Sequence, residues 1–190
     1  MGVAIADYDG DGLPDIFVAN DKLFNFLFHN KGNNKFGEVA FETGVALPEH
    51  GNLISGMGVD FRDLNNDGYP DIAIAALQNE TFPIYQNIGK GNFREITARS
   101  GMTTLSNPMS GYSVNIADFD NDGWKDIFIS RGDVASPNMA NRIPSSSRTR
   151  SFGIWSRGSG RRSRRKPVSR NSHPSVIAAQ QWATSTVTAD

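Results

Sequence analysis

One pattern that occurs three times constrains the fold of this chain more than any other feature. The copies align without a gap, and their first acidic residues are separated by 56 and then 55 residues. A fixed period of this length is typical of proteins built from repeated structural units, in which each unit buries its apolar faces against its neighbours. The copies occupy residues 2–19, 58–75 and 113–130.

Each unit is predicted to form four short β-strands. Apolar residues alternate along the segments, turns rich in Gly and Asn separate them, and no window shows a sustained helical period. Aromatic residues at strand positions are predicted to form the core. In the first unit the apolar positions that indicate strands are Val3, Ile5, Ile16, Val18, Phe26, Phe28, Phe36 and Val39.

The predicted fold class is therefore all-β, with four antiparallel strands per unit. A four-stranded unit of this length has the size of a β-propeller blade. Residues 1–143 hold about 2.5 to 3 such blades, whereas a propeller closes with typically 4 to 8 blades. We therefore expect this chain to be an incomplete propeller.

The loop between the first two strands of each unit carries the pattern D-x-D/N-x-D-G-x-x-D. Alternate residues of a tight loop can direct several oxygens towards one point, which suits a hard cation such as Ca²⁺ with its 6 to 8 oxygen ligands. We predict one Ca²⁺ per loop, with the seventh residue contributing its backbone carbonyl. The predicted ligands are Asp7, Asp9, Asp11, Leu13 and Asp15; Asp63, Asn65, Asp67, Tyr69 and Asp71; and Asp118, Asp120, Asp122, Trp124 and Asp126.

The residue types of the loop decide between metals and between loop families. Oxygen ligands with no Cys and no nearby His disfavour zinc and copper, and a flexible loop suits Ca²⁺ better than Mg²⁺, while Mn²⁺ remains an alternative. An EF-hand needs a bidentate Glu at the twelfth place, where this chain has Val18, Ile74 and Ile129. Turn formation alone explains a single Asp-Gly pair, but three copies in one register favour cation binding. Because Asn65 removes one negative charge, the second loop is expected to bind most weakly.

The charge of the chain changes abruptly near Ile143. Residues 1–143 carry a net charge of -9, and residues 144–190 carry a net charge of +8 with many Ser and Arg. Back-translated in a shifted frame, Thr149 to Trp155 can spell TVFRNL and Trp182 to Asp190 can spell GDLDGDGR, which restore the repeat in blade order. We therefore interpret residues 144–190 as a disordered basic tail read out of frame. On this interpretation its Arg run is not a nucleic-acid site.

The three loops resemble the FG-GAP (VCBS-type) repeats of integrin α-subunit propellers. They are more similar still to those of secreted cartilage-acidic-protein-like proteins, which carry a C-terminal ASPIC/UnbV domain. The resemblance covers residues 2–143 and implies a seven-bladed extracellular propeller with calcium in its outer loops. The sequence departs from this family in its fewer blades and in lacking a recognisable signal peptide and ASPIC/UnbV domain, and we therefore expect it to be truncated. Since residues 1–3 repeat residues 57–59, we also expect Met1 to be an internal methionine of a longer protein.

The predicted function is that of a non-catalytic, calcium-binding repeat module that binds protein or glycan ligands outside the cell or in the periplasm. No membrane-spanning segment and no nucleic-acid partner are expected. The alternative is the propeller portion of a carbohydrate-active enzyme, either a polysaccharide lyase or a hydrolase. No acid/base pair outside the metal loops supports that alternative.

Four short features are predicted to have no functional role. The tripeptide at residues 131–133 matches an integrin-recognition motif but follows a strand as an ordinary turn. The acceptor pattern at residues 79–81 matters only where N-glycosylation occurs. His29 and His50 have no catalytic partners at a recognisable spacing and are predicted to be surface or turn residues.

Overall fold

A computed structural model describes residues 1–106, 110–132, 152–156 and 176–177. The described chain is mostly β-strand, arranged as three antiparallel four-stranded sheets. The predicted all-β fold and its four-stranded blades are confirmed. The first sheet consists of β1 (Gly2–Ala6), β2 (Asp15–Ala19), β3 (Phe26–Asn30) and β4 (Phe36–Glu38).

The second and third sheets repeat this order, with each strand paired to its neighbour along the chain. The second sheet contains β5 (Gly58–Arg62), β6 (Asp71–Ala75), β7 (Ile84–Asn87) and β8 (Phe93–Glu95). The third sheet contains β9 (Ser110–Ala117), β10 (Asp126–Gly132), β11 (Phe152–Ser156) and β12 (Val176–Ile177).

The last two strands fall within residues 144–190, the segment predicted to be an out-of-frame tail. Apart from residues 152–156 and 176–177, that segment lies outside the described residues. The pairing of β11 with β10 does not reveal the reading frame, so the out-of-frame interpretation stays a prediction.

Short helical turns, which the sequence did not indicate, follow the fourth strand of the first two sheets. A turn of four or five residues is too short to display a helical period. These helices are α1 (Ala40–Thr43), α2 (Thr97–Ser100) and α3 (Met102–Ser106). Val39, assigned to a strand from the sequence, is instead the residue that precedes α1.

The sheets meet through their first strands, and glycine allows the close approach. A Cβ added to Gly58 would lie 2.7 Å from the carbonyl oxygen of Tyr112 in β9. A Cβ added to Gly2 would lie 3.0 Å from the backbone nitrogen of Val59. The opening glycine of the first two repeats is therefore required by backbone packing against the next sheet.

Much of the core lies between the sheets. Every residue of β6 is buried, and the rings of Phe17 and Phe61 meet between the first and second sheets with their centroids 6.3 Å apart. The expectation that strand aromatics form the core was wrong for Phe26 and Phe36, which are exposed on the third and fourth strands of the first sheet.

Candidate metal centre

The three acidic loops join the first and second strands of their sheets and share one backbone conformation. The sixth residue of each is a glycine with positive φ, at 86° for Gly12, 90° for Gly68 and 91° for Gly123. This conformation is unfavourable for residues that have a Cβ, so the predicted turn role of this glycine is supported by the geometry.

The first Asp of each loop binds the backbone of the turn that follows. Asp7 accepts hydrogen bonds of 2.8 Å from the N–H groups of both Gly10 and Gly12. Asp63 accepts the N–H groups of residues 67 and 68 at 3.2 and 2.8 Å, and Asp118 accepts those of residues 122 and 123 at 3.1 and 2.9 Å. This side chain therefore closes the loop and draws its acidic residues together.

The third and fifth residues complete a group of carboxylates in the first and last loops. Side-chain oxygens of Asp7, Asp9 and Asp11 lie within 4.8 Å of one another. The corresponding group in the third loop is Asp118, Asp120 and Asp122. In both loops the structure brings together three of the four acids that the sequence predicted as ligands, whereas the ninth-place Asp15 and Asp126 do not belong to these two groups.

The second loop differs because Asn65 stands where the other loops have Asp. Its amide nitrogen donates a hydrogen bond of 2.8 Å to Asp67, and its oxygen accepts the N–H of Asp67 at 3.1 Å. Within the described residues, no group of three acids forms in this loop. Asn65 thus stabilises the Asp67 carboxylate by hydrogen bonding and adds no charge of its own.

The ninth residue of each loop is a buried Asp that joins the loop to the sheet. Asp15 accepts the N–H of Tyr8 at 3.1 Å and that of Asn30, in the third strand, at 2.8 Å. Asp71 accepts the N–H groups of Leu64 and Asn87 at 2.9 and 2.8 Å. These carboxylates have a structural role whether or not they also bind a cation.

The equivalent Asp126 in the third loop is also buried, but only one of its oxygens is hydrogen bonded. Oδ2 accepts the N–H of Phe119 at 3.0 Å, whereas Oδ1 has no hydrogen-bond partner among the described residues. In the other two sheets the corresponding Oδ1 accepts the N–H of Asn30 or Asn87, and the equivalent residue 157 lies outside the described residues.

Burial and mutual repulsion perturb the acids of these loops. Burial raises the pKa of Asp71 to about 6, against the lowering effect of two backbone N–H donors. The pKa of Asp15 is raised for the same main reason. Burial and the neighbouring Asp122 and Asp126 raise the pKa of Asp120. Desolvation and repulsion both disfavour the charged form, and a bound cation would counteract them.

One imidazole beside the first loop was missed by sequence reasoning. His29, predicted to be a surface or turn residue, lies at the end of β3 with its side chain only 23% exposed. Its Nδ1 is 3.3 Å from Asp15 and 3.4 Å from Asp9. The pairing of β2 with β3 explains this contact, because Ile16 pairs with Phe28 and His29 therefore lies opposite Asp15. Only a prediction of this strand register could have found His29 from the sequence.

The remaining sequence predictions have different outcomes. His50 is exposed, as predicted. Arg131 of the tripeptide at residues 131–133 lies 5.6 Å from the ring centroid of Phe82 and donates to the carbonyl oxygen of Ser106, while residue 133 lies outside the described residues. Leu13, Tyr69 and Trp124 occupy the predicted loop positions, and their carbonyl oxygens as ligands stay a prediction.

Comparison with known proteins identifies the family of this chain. The model of the FG-GAP-like repeat matches residues 7–74 and 63–129. The chain belongs to the FG-GAP repeat family. Its sheets are thus blades of the propeller type, and the recognition based on the three loops is confirmed.

Two kinds of relative share the repeats. Cartilage acidic protein 1 of Mus musculus is 34% identical over 145 residues, which is 75% of this chain and 21% of the relative. Integrin alpha-4 of Xenopus laevis is 29% identical over 145 residues, covering 67% of this chain and 14% of the relative. The chain therefore spans about a fifth or less of the length of these relatives. No helix in the described part of the chain is long and apolar enough to cross a membrane.

Proposed function

We propose that this chain is a calcium-stabilised part of a ligand-binding propeller that acts outside the cytoplasm and catalyses no reaction. The observation that carries the proposal is the convergence of three carboxylates in each of two equivalent loops, at Asp7, Asp9 and Asp11 and at Asp118, Asp120 and Asp122. In both loops backbone N–H donors already fix the first Asp. Preorganised oxygens of this kind suit Ca²⁺.

Calcium would act here as a structural ion. The acids of each loop come from the end of one strand, the turn and the start of the next strand. A cation bound among them would reduce their repulsion and hold the two strands together, so it would stabilise the folded chain by mass action.

Calorimetric titration of the full chain with Ca²⁺ tests this part of the proposal. We expect uptake at up to three sites, the weakest in the second loop, and greater resistance to unfolding and proteolysis when Ca²⁺ is present. At a free Ca²⁺ concentration about 100 times the Kd of a site, binding at that site adds about 2.7 kcal/mol to the free energy of unfolding. Absence of uptake, together with a protease resistance that EDTA does not change, would refute the structural role of calcium.

The ligand-binding role has support from the family relationship, since integrin alpha-4 shares the repeats. A glycan and protein array probed with the calcium-loaded chain, beside a screen for lyase and hydrolase activity, separates this role from catalysis. Binding without turnover is the expected result. Turnover of a polysaccharide would favour the alternative of a carbohydrate-active enzyme.

A further inference from the structure

The imidazole of His29 makes the first loop chemically different from the other two. Nδ1 of His29, Oδ1 of Asp15 and Oδ2 of Asp9 form a group whose atoms all lie within 4.8 Å of one another. Gln86 occupies the place of His29 in the second sheet, immediately before Asn87. Of these two sheets, the first is thus the one that places an imidazole beside its loop.

The surroundings of this nitrogen leave it without a hydrogen bond. Nδ1 is buried and makes no hydrogen bond of suitable geometry within the described residues, although two carboxylates lie beside it. The ring of Tyr8 packs edge-on against the imidazole, with the ring centroids 5.9 Å apart, and so restricts its orientation. A buried polar atom without a partner is unfavourable, and a cation placed between the three atoms would satisfy it.

The distances from the His29 nitrogen to the two carboxylate oxygens fit a small divalent ion. A tetrahedral ion with bonds of about 2.0 to 2.1 Å holds its ligand atoms about 3.3 Å apart. The distances from Nδ1 of His29 to the oxygens of Asp15 and Asp9 are 3.3 and 3.4 Å. The same two oxygens could also contact calcium, so the ligand type has to decide between the ions.

The nitrogen and the charge balance favour a transition metal. Imidazole is a good ligand for zinc, whereas Ca²⁺ takes oxygen ligands. Two carboxylates and a neutral imidazole carry two negative charges, which a divalent ion neutralises. Neutralisation is important here because Asp15 is fully buried, and a buried charge without a counter-charge is unfavourable. The buried carboxylate is also oriented by two backbone N–H groups, which is the support that metal-binding carboxylates commonly have.

We propose that Asp9, Asp15 and His29 form a zinc site in the first loop, with at least one further position open to water. Asp9 and Asp15 also belong to the proposed calcium loop, so zinc and calcium compete for the first loop. The other two loops take calcium alone. Only the predicted competition between zinc and calcium rests on the proposed function, because the zinc site itself does not require calcium binding.

A cobalt titration of the full chain tests the site, with Co²⁺ as a spectroscopic substitute for Zn²⁺. We expect a visible d–d absorption band that Zn²⁺ abolishes. The variant His29→Gln, which introduces the residue type of the second sheet, should lose the band. It should also weaken Zn²⁺ binding at least about tenfold. His50→Gln is the matched control, because His50 is exposed and lies outside the acidic loops, and it should bind both ions like the parent chain.

Calcium calorimetry on the same variants separates this inference from the proposed function. His29→Gln should still bind Ca²⁺ in all three loops, which also shows that the variant is folded. A Zn²⁺ affinity that is the same in His29→Gln and the parent chain would overturn the zinc site and favour an ion pair between His29 and the two acids. If the parent chain takes up no Ca²⁺ but shows a cobalt band that His29→Gln lacks, the calcium role is refuted and the zinc site is supported.

Discussion

The first and second sheets have the same strand order but very different surroundings. In the second sheet every residue of β6 is buried, because the first and third sheets pack on either side of it. In the first sheet Val3 and Ile5 of β1 are 61% and 62% exposed. The sequence pattern of a repeat thus sets where its strands form, whereas the neighbouring repeats determine which of its side chains are buried.

The same contrast appears at the Asn that ends the third strand. Asn30 and Asn87 occupy equivalent places, and each backbone N–H donates to the buried Asp of its own loop. The side chain of Asn87 is fully buried and donates to the carbonyl oxygen of Tyr8 in the first loop at 2.8 Å. The side chain of Asn30 instead donates to the nearby Pro14. Asn87 therefore connects two repeats, and Asn30 stabilises one.

The largest expected effect is that of replacing this connecting residue. Asn87→Ala removes the hydrogen bond to Tyr8 and an acceptor for the N–H of Gly89. Buried groups left without partners cost about 1 to 3 kcal/mol each, so the free energy of unfolding should fall by about 3 kcal/mol. Urea denaturation of the calcium-loaded full chain measures it. Asn30→Ala is the matched control and should cost about 1 kcal/mol or less; equal losses would contradict the assigned difference between the sheets.

The second prediction concerns the pH dependence of the buried Asp71 in protein kept metal-free by a chelator. Its pKa of about 6 lies above the ordinary value of 3.8, so the folded chain binds this proton more tightly than the unfolded chain. The resulting stabilisation is present below about pH 4 and is lost as the pH rises through about 6. From about pH 4 to about pH 6 the free energy of unfolding of the parent chain should fall by about 2 kcal/mol relative to that of Asp71→Asn.

Denaturation curves of both proteins from pH 4 to pH 7 measure this difference. Asp21→Asn, at an exposed acid outside the loops, serves as the control and should follow the parent chain. An Asp71→Asn variant whose stability changes with pH in parallel with the parent would contradict the assigned titration. In excess Ca²⁺ the difference should shrink, because a bound cation stabilises the carboxylate form.

A third prediction concerns the third place of the loop, where the first loop has Asp9 and the second has Asn65. Asn65→Asp should raise the Ca²⁺ affinity of the second loop by about tenfold, and Asp9→Asn should lower that of the first by a similar factor, since calcium affinity follows the number of charged ligands. Asn65→Asp also removes the amide that donates to Asp67. Calorimetric titration of the two variants and the parent checks both directions. Affinities that do not move would mean that the third place of the loop is not a ligand.

Much of the fold and the site could be predicted because local chemistry repeats. Gly12 and its two equivalents require positive φ, and the first Asp binds its own turn, so sequence spacing alone located the loops. His29 could not be found in this way, because it reaches Asp15 through the pairing of β2 with β3 and not through a motif. The exposure of Phe26 depended on which face of the first sheet a neighbour covers, and periodicity carries no information about that.

The smallest expected effect tests the exposed face of β1 directly. Ile5 and Ile116 occupy the same place in the first and third repeats, yet Ile5 is 62% exposed and Ile116 is 3% exposed. Ile116→Val removes a buried methylene and should cost about 1 kcal/mol, whereas Ile5→Val should change the free energy of unfolding by less than about 0.5 kcal/mol. Urea denaturation at several protein concentrations compares them. Equal costs of the two substitutions would mean that Ile5 is buried by a contact in solution. If the cost of Ile5→Val also depends on protein concentration, that contact is with a second copy of the chain, since association stabilises by mass action.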